Sequence, residues 1–355
     1  MKTVRQDFEK NFKCIADKCP ETCCSGWLIM VDEDSLARYE KYSGKIPERV
    51  KESIDFEEGC ICQKEDGSCA FLNEKGLCDW ILADGEDILC DTCRLYPRHV
   101  EEYEDLREWS ISLSCPEACR MYVERTDRAS FESVEDDEPD PLEDDFEDFD
   151  LLTFEPLMEA RELLFSIIGM EDLGITQKMY ITLEMAKELQ KCYDEGETFR
   201  MYDVIKKYDD SDFIKKLSKG AKVELSEDIL FSLESLSDEW NEIIEPFKSK
   251  FSLKEGDYIK DVSDKRYNLI MDNILTYFLY TYFPGSIYNG MIYGYAAMCV
   301  FGPLMIDRIC RLRAFSKEEF TIKDFEEVVY KYSRETEHSE ENIDILLEYF
   351  DSQCP

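Results

Sequence analysis

The stretch FKCIADKCPETCCSGWLIMVD, residues 12–32, gathers Cys14, Cys19, Cys23 and Cys24 and then enters the apolar run Trp27–Val31. Further thiols follow as Cys60-x-Cys62, Cys69-x8-Cys78, Cys90-x2-Cys93 and Cys115-x3-Cys119, so twelve of the sixteen cysteines lie at or before Cys119. Such density belongs either to a disulfide framework in an oxidising compartment or to metal ligation where thiols stay reduced. The first residues, MKTVRQDFEKNFKC, carry charge where a secretory leader needs an apolar core, so a cytoplasmic, metal-binding protein is expected. Adjacent Cys23 and Cys24 agree with that, because vicinal cysteines seldom bridge each other without strain.

Soft thiolates select zinc, copper(I) or iron–sulfur clusters. Zinc knuckles usually come in pairs, and Cys90-x2-Cys93 has no clean twin, while the chain has only two histidines. An iron–sulfur cluster needs four thiolates that can come from scattered positions. Zinc and a cluster both stay open on spacing alone. The Cys-x3-Cys-x2-Cys pattern of radical enzymes is not met, since Gly26 stands where the third cysteine would follow Cys19 and Cys23.

Outward from the thiols the chain changes character. Residues 131–150, FESVEDDEPDPLEDDFEDFD, hold twelve acids, two prolines and no base, which reads as a solvated linker. Beyond it, Met179, Leu183, Ala186, Leu189 and Tyr193 recur at helical steps, as do Ile343, Leu346, Leu347 and Phe350. Ser316 and Glu319 have capping-box spacing and predict a helix start that leads through Phe325, Val328 and Val329. Trp109, Ile111 and Leu113 alternate with serines as a strand does. The expected fold is mainly α: a small cysteine-rich metal-binding α+β domain over 1–125, an acidic linker over 126–150, and an all-helical domain over 151–355.

With 81 acidic and 42 basic residues the formal charge is −39, which repels nucleic acid and acidic membranes and attracts lysine-rich surfaces. Asn273–Ile306 has no charged side chain, long enough for a span of about 20 residues. Its two glycine-bearing breaks, at Pro284-Gly285 and Asn289-Gly290, and its six tyrosines suit a pair of buried helices instead. No nucleic acid and no membrane partner is expected.

Residues 12–32, followed by CAFL (69–72), GLC (76–78), DTCRLYPR (91–98) and SLSCPEACR (112–120), resemble the lysine-N-methylase family that modifies flagellin, within the wider CxxCxxCC metal-chelating group. The likeness is close over 12–120 and looser at NILTYFLYTYF (273–283). It implies Cys14, Cys19, Cys23, Cys24, Cys69, Cys78, Cys93 and Cys115 as the pool of metal ligands, with Cys60, Cys62, Cys90 and Cys119 outside the pattern. It implies a 4Fe-4S iron–sulfur cluster, with zinc as the alternative, and methyl transfer from S-adenosylmethionine to lysine ε-amines of flagellin or a similar protein. No residue is singled out as catalytic. Arg94 and Arg98 are candidates to bind the donor's carboxylate, and Trp27, Trp80 and Trp109 offer faces to its sulfonium. No Gly-x-Gly turn exists, so a Rossmann-like donor site is not expected. His99 is expected beside charged residues, and His338 on the surface at a helix end. The competing class is non-enzymatic: a zinc or iron–sulfur binding module, or a redox sensor.

Overall fold

The computed structural model describes residues 1–135, 146, 149–248 and 258–354. Among the described residues seven strands lie before residue 135: β1 (Lys2–Gln6), β2 (Ile29–Met30), β3 (Ile54–Asp55), β4 (Cys60–Ile61), β5 (Arg98–Tyr103), β6 (Leu106–Ile111) and β7 (Phe131–Val134). Among them run short helices α1 (Glu33–Glu40), α2 (Pro47–Ser53), α3 (Asp79–Asp84), α4 (Asp91–Leu95) and α5 (Pro116–Glu124). The remainder is helical. It starts with α6 (Leu151–Ile168), α7 (Ile175–Asp194), α8 (Met201–Tyr208), α9 (Ser211–Leu217) and α10 (Asp238–Ile244). It ends with α11 (Asp264–Tyr282), α12 (Ile292–Ser316), α13 (Ile322–Glu337) and α14 (Glu340–Asp351). The fold is therefore mainly α, with a small cysteine-rich sheet region leading into helices.

The larger sheet has the order β5-β6-β1-β7. β1 lies parallel to β6, with Val4 opposite Glu108, and antiparallel to β7, with Val4 opposite Ser133. β7 falls in a segment read from sequence as linker. Its Phe131 stacks on Tyr280 of α11 with ring centroids 4.0 Å apart, and that apolar contact gives the strand a reason to fold. The acidic stretches 136–145 and 147–148 lie outside the described residues. A second sheet, β2-β4-β3, caps a small core of Ile29, Val50, Ile61, Phe71 and Trp80.

The main core starts at Phe12, Ile111 and Leu113, continues through Ala118 and Tyr122 of α5, and runs into α6, α7 and α11–α14. The uncharged stretch 273–306 lies inside it as the second half of α11, a short turn and the start of α12. Among the described residues no helix is long and apolar enough to cross a membrane. Two buried ion pairs tie the elements: Arg161 to Glu108, and Lys178 to Asp272 at 2.7 Å.

Two local readings meet the structure differently. The helix expected to open at Ser316 opens at Ile322, and Ser316 is instead the last residue of α12. Thr321 and Asp324 form the capping box, with Thr321 N donating to Asp324 Oδ2 at 2.8 Å; they stand nearer Phe325 and satisfy the helix's free N–H groups there. Gly302 of α12 faces Phe278 of α11, and a Cβ there would meet the ring at 2.9 Å. Alanine's helix propensity would favour Gly302→Ala by about 1 kcal/mol, but overpacking costs ~1–3 kcal/mol. We expect a net loss of up to about 2 kcal/mol in urea unfolding; an unchanged or raised midpoint would contradict the close approach.

Candidate functional site

The loop from Phe12 to Gly26 carries four of the expected ligands. Ala16 N donates to Cys14 Sγ at 3.4 Å, and Cys19 N donates to Ala16 O at 3.0 Å, which folds Cys14 and Cys19 together. Gly26 turns the chain at φ +86°, a conformation that favours glycine. Cys69 N donates to Cys24 O at 2.7 Å, drawing a second loop alongside. Cys78 and Cys115 stand at the first ends of α3 and α5. There the N–H groups of Ile81 and Trp80 face the Cys78 thiol, and those of Ala118 and Glu117 face Cys115.

The thiols fall into neighbourhoods. Cys24 lies within electrostatic reach of Cys69, Cys78 and Cys93. Cys23 is hydrogen-bonded to Cys24 and lies within reach of Cys14 and Cys115, and Cys19 within reach of Cys14 and Cys115. Burial pushes Cys69 and Cys115 up to about 11, despite the N–H groups facing them. Cys24 moves the other way: hydrogen bonds from Cys23 and then Thr22 outweigh burial and push it down to about 6, which makes a thiolate available near neutral pH. Outside the expected set, Cys90 is hydrogen-bonded to Cys93, Cys60 is buried on β4, and Cys119 donates to Glu326 O at 3.5 Å. Cys62 is half-buried.

Among the described residues, no three metal-ligating side chains converge tightly enough to grip a single ion. Tetrahedral zinc requires its sulfurs about 2.3 Å from one point. A cluster interposes a body of iron and sulfide between its thiolates. Thiols with backbone N–H groups directed at Cys78 and Cys115 suit either donor set.

The other candidates take up different positions. Arg94 is exposed and paired with Asp91 at 2.9 Å. Arg98 pairs with buried Glu9 and lies over the Phe12 ring. His99 pairs with Glu101 at 2.8 Å on an open strand face. Trp80 packs in the small core, and Trp109 carries Arg5 over its ring at 4.3 Å. Trp27 instead stands at the seam between sheet region and helices, 4.9 Å from the His338 ring and 5.8 Å from Tyr96.

That seam was not anticipated. His338, expected on the surface, is half-buried: its Nε2 lies 3.0 Å from Ser114 Oγ, and burial pushes its pKa down to about 3. The ring is displaced inward because α13 docks on the thiol loop. Lys331 pairs with Glu21 at 2.9 Å, and Arg334 donates to Ser25 O at 2.8 Å. One residue before His338, Glu337 closes a polar cluster. Tyr277 Oη donates to Glu337 Oε2 at 2.9 Å, Ser112 Oγ donates to the same oxygen, and Leu113 N donates to Tyr277 Oη at 3.3 Å.

Glu337 Oε1 is buried without a hydrogen-bond partner in the structure. Burial raises the carboxyl's pKa, against the hydrogen bonds from Ser112 and Tyr277. Phe278, Tyr282 and Tyr332 line a cavity beside it with room for about one water. A buried carboxylate among aromatic rings suits a cationic or amine ligand. Sequence reading passed over Glu337 because SRETEHSEEN looks solvated; the available signal was its place on the stripe Phe325, Val329, Ser333, Glu337, four residues apart.

A family model described as the FliB lysine N-methylase C-terminal domain matches residues 161–354, beyond the clustered thiols. The flagellar biosynthetic protein FliU of Salmonella muenchen is 27% identical over 123 residues, covering 31% of this chain and 70% of that protein. Lysine-N-methylases of Salmonella choleraesuis and Salmonella typhimurium are each 27% identical over 122 residues, covering 31% of this chain and 29% of theirs. The alignment thus spans less than a third of either lysine-N-methylase. No solved structure matches.

Proposed function

Because the chain belongs to the FliB lysine N-methylase family, we propose that it transfers methyl groups from S-adenosylmethionine to lysine ε-amines of flagellin or a similar lysine-bearing protein. The single observation that carries this reading is the buried, aromatic-walled carboxylate of Glu337 on the same helix whose Arg334 grips the thiol loop. A lysine amine must lose its proton before attacking a methyl sulfonium, and nitrogen, methyl and sulfur must align. Glu337 supplies the proton acceptor. Its burial favours the proton-bound form, so an ammonium entering the same apolar space surrenders a proton to Oε1.

Tyr277 and Ser112 hold Oε2, and Ser333 one turn back on α13 is the other hydroxyl facing the carboxylate, so Oε1 meets the amine beside it. Tyr282, Tyr332 and Phe278 receive the ammonium before it loses its charge. Trp27 and Tyr96 offer aromatic faces for the donor's sulfonium beside the thiol loop. To take a donor carboxylate, Arg94 and Arg98 would exchange Asp91 and Glu9 for it. Held by the N-terminal thiolates, an iron–sulfur cluster would supply iron able to ligate the donor's amino and carboxylate groups. The net charge of −39 favours encounter with lysine-rich partners.

The test is methyl transfer itself. Anaerobically purified, iron-replete protein with methyl-labelled S-adenosylmethionine and flagellin should place label on lysine side chains. Absence of label from flagellin with metal-replete, folded protein would overturn the reading and leave the non-enzymatic module.

A further inference from the structure

We propose that Ser112, Ser114 and His338 form a relay that returns Glu337 to its charged state, carrying the proton taken from each lysine amine out to the seam beside Trp27. The relay begins with the alternation Ile111-Ser112-Leu113-Ser114. Ile111 and Leu113 enter the main core, which turns Ser112 and Ser114 to the opposite side, where both are still buried. Buried hydroxyls require partners, and these find them on two consecutive residues, Glu337 at the end of α13 and His338 after it. Ser112 Oγ donates to Glu337 Oε2 and is hydrogen-bonded to Ser114 Oγ, which in turn lies 3.0 Å from His338 Nε2. Ser114 N donates to Ser112 Oγ at 3.0 Å and fixes the spacing of the two hydroxyls. Tyr96 Oη lies 3.1 Å from Ser114 Oγ and donates to it when Ser114 donates to His338.

Methyl transfer from a sulfonium to a lysine that arrives as an ammonium and leaves as a methylammonium releases one proton. Glu337 holds that proton on a buried carboxyl, so every turnover needs a way out. In the relay the carboxyl gives a proton from Oε2 to Ser112 Oγ, and Ser112 gives its own to Ser114 Oγ. Ser114 gives its own to His338 Nε2, and His338 releases the proton on Nδ1 to water. Four bonds to hydrogen break, four form, and no electrons change hands. Ser112 is left donating to Glu337 Oε2, the arrangement the structure holds. Rotation of the hydroxyls and a tautomer exchange of the imidazole ready the chain for the next proton. Burial, and then the Arg334 guanidinium, keep the imidazole uncharged, so it passes the proton on instead of storing it. His99 also faces Glu337, but its Nε2 is committed to Glu101 at 2.8 Å.

This inference rests on reading Glu337 as the base for methyl transfer. The test is a rapid-quench time course on the anaerobically purified full chain, with methyl-labelled S-adenosylmethionine and flagellin in excess over protein. Glutamine offers Ser114 a hydrogen-bonding group but cannot exchange protons between two ring nitrogens. H338Q and S114A should therefore transfer the first methyl group at close to the wild-type rate and then turn over roughly tenfold or more slowly, giving a burst of one product per chain. H338A should show the same burst, and imidazole added to the solution should restore its turnover, a response that a merely structural histidine lacks. E337Q should lose the first turnover as well, and H99Q should behave as wild type. Circular dichroism and bound metal identify any variant that fails to fold; Ser114 adjoins Cys115, and the His338 variants carry the test without touching that neighbour. Wild-type turnover in folded H338Q, or equal loss of the first and later turnovers, would overturn the relay while leaving Glu337 as the base. A burst in H99Q in place of H338Q would move the exit to His99 and overturn it too. Full activity of E337Q, or no labelled lysine from wild type, would remove the base and the relay with it.

Discussion

Glu108→Ala should destabilise the protein by about 3–5 kcal/mol, the largest single loss expected away from the thiols. Glu108 sits on β6, and its two oxygens accept from Arg161 Nη1 and Nη2 of α6 at 2.6 Å each. The side chains are only 2% and 5% exposed, so removing one strands the other's charge without water. Arg161 keeps Tyr280 O at 3.2 Å, the Tyr280 and Phe165 rings, and the solvent-exposed Glu162 carboxylate at 3.9 Å, too distant to replace the two bonds from Glu108. Replacing both partners with apolar groups, as in E108L/R161M, should recover most of the loss. The exposed Arg120–Glu124 pair is the control: E124A should cost less than about 1 kcal/mol. Guanidinium unfolding reads all three, and an E108A midpoint close to wild type would refute the buried pair as a tie between sheet and helices.

Glu337→Gln should slow methyl transfer by roughly 10²–10⁴-fold while leaving fold and bound metal intact. Glutamine keeps an acceptor for Tyr277 and Ser112 but cannot take the amine's proton. Because burial holds Glu337 above the usual carboxylate range, wild-type kcat/KM should have an acid limb above that range, and E337Q should lose it. The stability sign follows from the same shift. A carboxyl raised in the folded state contributes stability below its unfolded pKa and loses that contribution as pH rises through the folded value. Relative to wild type, E337Q should therefore become more stable as pH rises. Full activity of E337Q, or an unchanged acid limb, would remove Glu337 from the proton transfer and leave it a structural group.

Much of this was legible locally. The stripe Met179–Tyr193 becomes α7, and the pattern Ile343–Phe350 becomes α14, because amphipathic periodicity is a property of a few consecutive turns. Trp109 and Ile111 fall on β6 for the same reason at a period of two. Ser316 misled because a capping box is a short pattern that recurs, and Thr321 with Asp324 lies closer to the apolar face that must be buried. Residues 131–134 misled because acid content argues for solvent, while one phenylalanine stacked on Tyr280 places the strand against the core. His338 misled for a related reason: charged neighbours describe one side of a helix end, and its other side meets Trp27 and Ser114.

By itself the sequence determined the order of the thiols, the helical character beyond residue 150 and the acidity of the chain, since each depends on composition or on spacing within a few turns. Only the tertiary structure decided which distant groups meet. It laid β1 parallel to β6 across a hundred residues, set Arg161 against Glu108, and drew the loop of Cys69 alongside that of Cys24. It also carried Glu337 from a string that reads as solvated into the seam with Ser112 and Tyr277. Those meetings depend on how apolar faces from separate segments bury one another, and no local pattern encodes that.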